Sequence, residues 1–433
     1  MEIPSIEVKD HKFIEQYQVK ALSQLLTYVN SKSTFYKTLF KRHNIEISEI
    51  KSLEDLRNIP PTTKSDLQKY SKDFWCVGAE DIVEYCSTSG TEGEAVTVPL
   101  THKDIDRLAY NEAISLACAK GDQHSIYQLT TTIDRQFMAG LAYALGARKL
   151  GAGMVRIGPG LPQLQWKAIN ELHPTALIVV PSFLLKLIEY AEQHKIDLKN
   201  SSVKRAICIG EPIRHQDFSL NAIGKRITDK WDIELYSTYA SSEMAAAFTE
   251  CSQFAGGHMH PELIIIEVLD DNNEPVGPDV AGEITITTLG VEAMPLIRFK
   301  TGDIARIHYS ACPCGRTTPR IGPVIGRKNQ LIKYKGTSCY PPALFNVMDN
   351  INGIDHYQVV LSSDDYGNDA IEVRYAVSEK ISQKVIEDQF RVALRVVPRL
   401  VLMDQHELVS LIFPKTHRKP RKFLDERQRV GSV

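Results

Sequence analysis

Two short runs, Ala176-Leu177-Ile178-Val179-Val180 and Arg205-Ala206-Ile207-Cys208-Ile209, constrain the fold more than any other stretch. Each has the length of a strand and is too short for a buried helix. Their near-continuous apolar character asks for cover on both faces, the condition of a strand inside a parallel sheet. A helical stretch from Ser182 to His194 separates them. Strand, helix and strand in that order predict an α/β core with helices on both sides of a largely parallel sheet. Upstream, Leu22, Leu25, Leu26 and Val29 recur at helical spacing within a helical region of residues 10 to 75. The segment Thr62-Thr63-Lys64-Ser65-Asp66-Leu67 reads as a capped helix start after Pro60-Pro61, and Lys103 to Ala119 as a further helix. From Leu263 the period changes to strands, at Leu263–Val268, Gly282–Thr288 and Ala305–His308, which predicts an antiparallel β subdomain. Past Gly326-Arg327 the pattern becomes a small α+β unit, so the boundary is placed at 328, with domains of 1–328 and 329–433. A chain of 433 residues is long enough for both.

The charge balance excludes two classes of partner. A formal net charge of −2 provides no electrostatic case for nucleic acid or for an anionic membrane surface. No apolar run approaches the roughly 18 residues that span a bilayer. The start Met1-Glu2-Ile3-Pro4-Ser5-Ile6-Glu7 has no secretory pattern, so a cytoplasmic location is expected. In that compartment the eight cysteines are not expected to pair as disulfides. Cys76, Cys86, Cys118, Cys208 and Cys339 stand singly and read as buried small hydrophobes.

Chemistry enters at Thr88-Ser89-Gly90-Thr91-Glu92-Gly93. Two glycines permit a tight path, and hydroxyl and backbone N–H groups can then converge on phosphate oxygens. No lysine follows the last glycine, so this is not the common nucleotide loop that ends in Gly-Lys-Ser/Thr. Downstream stand Phe137-Met138-Ala139-Gly140-Leu141-Ala142, Val180-Pro181-Ser182-Phe183, Gly210-Glu211-Pro212, Tyr239-Ala240-Ser241-Ser242-Glu243 and Arg298-Phe299-Lys300-Thr301-Gly302-Asp303. Gly326-Arg327, Gly336 to Pro341 and Phe413-Pro414-Lys415-Thr416-His417-Arg418-Lys419 complete the series. In this order the motifs resemble those of the acyl-adenylate-forming (ANL) ligases, and within them the phenylacetate–CoA ligase family, from about Thr62 to Arg427.

The resemblance implies a large N-terminal domain, a small mobile C-terminal lid, and an ATP-dependent ligase joining a carboxylic acid to a thiol through acyl-AMP. It implies Ser89, Gly90, Thr91 and Gly93 at the β- and γ-phosphates, and Glu243 on Mg²⁺. Gly210, Glu211, Pro212, Tyr239 and Ser242 are implied around the nucleotide, and Asp303 and Arg327 at the ribose. Lys419 would reach the α-phosphate after rotation about a hinge at Asn329; on composition alone it is one of a solvated basic run. Phe137, Phe183, Tyr236 and Ala240 are candidates for the acid pocket, with phenylacetate or another aromatic acid the implied substrate. The implied acceptor is coenzyme A, the alternative a carrier-protein pantetheine or a protein cysteine, and the implied assembly a homodimer. A nucleotide-binding relative of low activity is a further alternative. It is motivated by Glu94 where a lysine is frequent, Asn329-Gln330 for an acidic hinge, and Arg418 for glycine; Ala240 for glycine is a further departure from the family's pattern.

Cys312-Pro313-Cys314, with Cys251 and His258 upstream, makes a set of three thiolates and an imidazole. Such a set suits tetrahedral Zn²⁺, and without an open position the ion would be structural. Members of the resembled family carry a comparable arrangement. His260 is a second candidate for the imidazole, with motif alignment favouring His258.

Overall fold

The computed structural model describes residues 2–88, 95–364, 368–378, 381–414 and 420–427. The chain divides into two compact units, Met1–Val324 and Ile325–Val433.

The first unit opens with α1 (His11–Lys32), α2 (Thr34–Arg42) and α3 (Lys64–Tyr70). Each begins at a side-chain cap, Asp10, Ser33 or Thr63, that accepts an otherwise orphaned backbone N–H. Thr63 and Asp66 cap each other reciprocally. Hairpin β1 (Glu84–Ser87) and β2 (Thr97–Leu100) follows. Thr88 extends it: its side-chain oxygen accepts from the Val96 N–H at 3.0 Å, and it is buried. The expected phosphate-loop residues Ser89, Gly90, Thr91 and Gly93, and the neighbouring Glu94, lie outside the described residues.

Next come α4 (His102–Cys118), β3 (Ile126–Leu129), α5 (Met138–Leu150), β4 (Gly153–Arg156), α6 (Pro162–Leu172), β5 (Ala176–Val179), α7 (Pro181–Gln193), β6 (Arg205–Cys208), α8 (Ala222–Thr228), β7 (Glu234–Ser241) and β8 (Ala246–Thr249). The strands form one sheet in the order β4-β3-β5-β6-β7-β8, parallel throughout except for β8. Alternation along the strands sends Leu177, Val179, Ala206 and Cys208 into a core with Trp166 and Leu187. It sends Ile178, Ile207 and Tyr236 to the opposite face, against Tyr143 and Ala147. The two apolar runs are thus covered on both sides, as the parallel reading requires.

The chain then builds β9 (Gly257–His258), β10 (Ile264–Leu269), β11 (Gly282–Thr288), β12 (Phe299–Ala305), β13 (Ile307–His308) and β14 (Arg320–Ile321). Strands β10, β11 and β12 pair antiparallel in sequence order, and β13, β14 and β9 make a second small sheet. The expected strand at 305–308 is two strands that divide at Arg306, and β12 begins earlier than its pattern suggests. Its polar residues Lys300, Thr301 and Asp303 hide the alternation, and Gly302 takes φ +79°. Just before it, Arg298 is 1% exposed. It donates to Glu267 and to the carbonyls of Arg57, Ile59 and Asn273, joining the helical start of the chain to the β subdomain.

The second unit holds β15 (Gly326–Arg327), β16 (Ile332–Tyr334), β17 (Thr337–Cys339), α9 (Pro341–Asp349), β18 (Ile354–Ser363), β19 (Asp369–Val377), α10 (Gln383–Leu394), β20 (Arg399–Leu402), α11 (Gln405–Ile412) and β21 (Phe423–Asp425). Its sheet runs β20-β19-β18-β21 over a core that includes Leu344, Val373, Ile386 and Phe390. Helix α10 stops at Leu394, because Arg395 turns left-handed (φ +60°) and Pro398 cannot continue it. Within the basic tail, Phe423–Asp425 is a parallel edge strand on β18. No helix among the described residues is long and apolar enough to cross a membrane.

Helices α4 and α5 approach closely because Gly146 faces Glu112; a Cβ at 146 would sit 2.3 Å from the Glu112 Cβ. Glu112 is buried there, and its Oε2 has no hydrogen-bond partner among the described residues. Burial pushes its carboxyl up from 4.5 to about 8. The folded state therefore binds this proton more tightly than the unfolded state. The resulting stability is complete below pH 4.5 and is lost as pH rises through about 8. Glu112→Gln is expected to flatten this slope. Urea midpoints at about pH 5.5 and about pH 8.5 should converge in the variant, and an unchanged slope would remove Glu112 from the account.

Candidate active site and metal centre

In a doubly covered parallel sheet the segments leaving the carboxyl ends of the strands share one edge, which is where ligands bind. Here that edge carries Val180-Pro181-Ser182-Phe183 after β5, Gly210-Glu211-Pro212 after β6 and the end of β7. Gly210 takes φ +75°, and nothing lies within 4 Å of where a Cβ would stand. Its backbone is therefore open to a flat group from the side a side chain would block. Glu211 turns inward instead. Its carboxylate accepts from the Ser182 N–H at 2.8 Å and from the Ser182 hydroxyl at 2.9 Å. Ser182 lies in the first turn of α7, where N–H groups lack helical partners and the helix dipole favours an anion. The two motifs are thus tied together through a charge-assisted cap.

The site's other wall joins the main sheet to the β subdomain. The Tyr239 hydroxyl donates to Asp303 Oδ2 at 3.0 Å, while the Asp303 N–H donates to Thr301 Oγ1. Past Ser242, Glu243 lies in a turn closed by the Ala245 N–H on the Ser242 carbonyl, with Ala245 at φ +45°. Among the described residues the half-buried Glu243 carboxylate makes no hydrogen bond or ion pair. It lines a small cavity with Leu100, Asp104, Arg107 and Met294. Arg107 holds this turn. It donates to the carbonyls of Ala245, Leu263 and Leu289 at 2.7, 2.6 and 2.8 Å. Burial lowers its pKa to about 10, so it stays cationic at neutral pH. Sequence reasoning passed over Arg107, whose only signal is a charge on the apolar face of α4.

The remaining candidates separate. Phe137 and Phe183 are half-buried at the starts of α5 and α7, and Ala240 is exposed. Tyr236 is not a pocket residue. It is fully buried in the core beneath α5, and its hydroxyl donates to Glu234 at 2.9 Å. Strand alternation turns it into the sheet's packed face. Arg327 is half-buried on β15, and Asn329 is exposed with its carbonyl accepting from Arg427 at 3.3 Å. Arg418 and Lys419 lie outside the described residues.

Cys251, His258, Cys312 and Cys314 come together from three places. Cys251 follows β8, His258 ends β9, and the Cys312-Pro313-Cys314 turn follows β13. Pairing of β13 and β9 with β14 draws their ends together. The four ligand atoms lie within 4.8 Å of one another. The Cys251 and Cys312 sulfurs are 3.6 Å apart, too far for a disulfide, and Cys314 Sγ is 3.4 Å from His258 Nε2. A tetrahedral Zn²⁺ with bonds of about 2.3 Å to sulfur and about 2.0 Å to nitrogen has edges of about 3.8 and about 3.5 Å. The donor set therefore fits that ion in chemistry and in spacing. Burial, aided by the Arg316 charge, keeps the His258 imidazole neutral down to about pH 3. Its Nδ1 meets Thr318 Oγ1 at 3.2 Å, leaving Nε2 toward the sulfurs. His260 is occupied elsewhere, with Nδ1 on Glu7 at 2.6 Å and Nε2 near Ser115. Cys118, read as an isolated apolar cysteine, packs against this cluster, and burial holds its thiol protonated.

Residues 15–293 match the family model of the AMP-binding enzymes, and the chain belongs to that family. Among curated proteins it is similar to phenylacetate–coenzyme A ligases. The chain is 29% identical to that of Thermus thermophilus, covering 89% of this chain and 87% of the relative. It is 26% identical to that of Escherichia coli K12, covering 99% and 98%. A crystal structure of 2-hydroxyisobutyryl-CoA ligase in the postadenylation state, in complex with R3-HIB-AMP, has the same fold. Its TM-score is 0.85 at 21% identity, over 98% of this chain and 92% of that one.

The Glu211–Ser182 contact yields a direct test. Glu211→Ala uncaps α7 and frees the Gly210 loop, at a cost of about 1–2 kcal/mol. Nucleotide affinity measured by calorimetry should fall several-fold in a folded variant. Wild-type affinity would separate the contact from the nucleotide site.

Proposed function

We propose that this protein activates an aromatic carboxylic acid with ATP and transfers the acyl group to coenzyme A. The general reaction, AMP-forming carboxylate–CoA ligation, follows from family membership. What supports the site reading is the open Gly210 backbone at the carboxyl edge of the sheet and the Tyr239–Asp303 pair near the end of β7, with Glu243 following in the chain and making no hydrogen bond or ion pair among the described residues. An aromatic acid is favoured because the curated relatives are phenylacetate–CoA ligases.

In the first half-reaction a carboxylate oxygen attacks the α-phosphorus of ATP, and the bond to the β-phosphate breaks. Crowded negative charge is the main obstacle, so positioning and electrostatic stabilisation carry the catalysis. Ser89, Gly90, Thr91 and Gly93 hold the leaving pyrophosphate. On this reading the adenine packs against the Gly210–Pro212 backbone, and Tyr239 and Ser242 belong to the same nucleotide site. Asp303 and Arg327 take the ribose hydroxyls, and Lys419 spans the α-phosphate and the substrate carboxylate. Mg²⁺ held by Glu243 would neutralise phosphate charge, a role suited to a hard carboxylate ligand. Phe137, Phe183 and Ala240 border the acid. In the second half-reaction the 329–433 domain rotates about Asn329 and withdraws Lys419. The thiol sulfur attacks the acyl carbon, AMP leaves with the bonding electrons, and the thiol proton passes to solvent.

Cys251, His258, Cys312 and Cys314 bind a structural Zn²⁺ on this reading; their mutual spacing and mixed thiolate–imidazole chemistry support it. A homodimer, proposed on family likeness, is open to light scattering.

ATP–pyrophosphate exchange across a panel of aromatic and aliphatic acids tests the assignment. Exchange strongest with aryl acids is expected. Absence of exchange with every acid, while ATP still binds, would overturn it. Coenzyme A and a carrier protein, supplied separately to preformed acyl-AMP, identify the acceptor. Lys419→Ala should lower adenylation at least about a hundredfold yet spare thioester formation from supplied acyl-AMP. Equal loss in both half-reactions would contradict the division of labour.

A further inference from the structure

The turn Ser5–Val8 near the start of the chain buries Glu7 completely, at 0% exposure. A carboxylate taken wholly out of water is costly unless it is paired and hydrogen-bonded. Glu7 is both. Its Oε1 meets His260 Nδ1 at 2.6 Å and its Oε2 accepts from Arg316 Nε at 2.6 Å. The backbone is fastened as well, since the Thr317 N–H and hydroxyl both donate to the Glu7 carbonyl. Thr317 also reaches the Lys9 carbonyl at 2.5 Å. These contacts cross more than 300 residues of sequence to reach the loop that carries Cys312 and Cys314.

Arg316 connects this strap to the cysteine cluster. While Nε is held by Glu7, Nη1 donates to Cys314 Sγ at 3.7 Å. The Gln253 N–H approaches Cys251 Sγ at 3.5 Å in the same way. Three thiolates around a divalent cation leave one excess negative charge in a buried place. A guanidinium beside one sulfur offsets that charge and holds the sulfur in its place around the ion. A free arginine side chain has about 2 kcal/mol of rotamer entropy, so its aim depends on what fixes the far side of its fork. Glu7 is the group that fixes it.

From this geometry, and resting on the zinc reading above, we infer that Glu7 is a positioning residue of the metal centre. The N-terminal turn locks Arg316 onto Cys314 and thereby slows loss of the ion. The metal site accordingly extends beyond its four ligands to a residue at the opposite end of the unit's sequence. His258 is held from a separate direction by Thr318, so the two contacts restrain different ligands.

The test uses the full-length protein with zinc quantified by elemental analysis. Release into a chromogenic chelator is timed below the unfolding temperature for wild type, Glu7→Gln, Arg316→Lys and Leu26→Ala. Glu7→Gln keeps the shape but removes the charge that anchors Arg316, and release about 10–100-fold faster is expected. Arg316→Lys keeps a cation without the fork that spans Glu7 and Cys314, and it too should release faster. Leu26→Ala lowers stability through a cavity in the α1 core and should release at the wild-type rate. In the Co²⁺-loaded protein the sulfur-to-metal charge-transfer band should shift in Glu7→Gln and stay unchanged in Leu26→Ala.

Wild-type release from a folded Glu7→Gln would overturn the inference. So would equal acceleration by Leu26→Ala, which would reduce Glu7 to general stability. If Glu7→Gln does not fold, wild-type release from Arg316→Lys overturns it. A wild-type protein that carries no zinc overturns the metal reading itself, a result distinct from slow release in the variants.

Discussion

Where the backbone of the first unit leaves regular pairing, buried guanidinium groups bind its carbonyls and tie distant segments together. Arg107 gathers the carbonyls of Ala245, Leu263 and Leu289, from three segments far apart in the chain. Arg214 pairs with Glu250 and also holds the carbonyls of Phe218 and Leu235. Arg298 holds Ile59 and Asn273. A buried carbonyl without a donor costs on the order of 1–3 kcal/mol, so irregular chain in the first unit depends on these cations. Arginine suits the task because its planar fork presents several donors at fixed angles.

That dependence shapes the active edge. The Glu243 turn contains a non-glycine residue at positive φ, Ala245, and the Arg107 contact on its carbonyl holds it there. Glu211 acts comparably on the opposite side, where an apparent nucleotide residue caps α7 and steadies the Gly210 backbone. A ligand arriving at this edge meets groups already oriented by partners behind them, so less ordering has to accompany binding. The cysteine cluster repeats the pattern with Arg316 and Glu7 behind it.

Much of the fold was legible because the driving terms are local or periodic. Near-continuous apolar runs announced β5 and β6, three- and four-residue spacing announced α1, and Thr63 with Asp66 announced the start of α3. Elements with mixed composition were harder. β12 is rich in polar residues, and β20, α11 and β21 lie in a stretch where basic residues mask short apolar patterns. Tyr236 was misplaced for a related reason. Proximity to a motif says nothing about which face of a strand a ring occupies, and here the face is the packed one.

The sequence by itself determined the parallel α/β core, the antiparallel subdomain that follows, and the order of motifs that marks an acid–thiol ligase. These rest on hydrophobic period and on residue identity at close spacing, which act within a few turns of chain. Only the tertiary structure decided which groups face one another across large separations. It selected His258 rather than His260 for the cysteine cluster, because Glu7 and Ser115 occupy both nitrogens of His260. It turned Glu211 into a helix cap, and it placed a buried carboxylate from residue 7 behind a cysteine near residue 314. Such pairings follow from desolvation: a charge removed from water takes whichever partner the packing brings, and sequence distance does not enter.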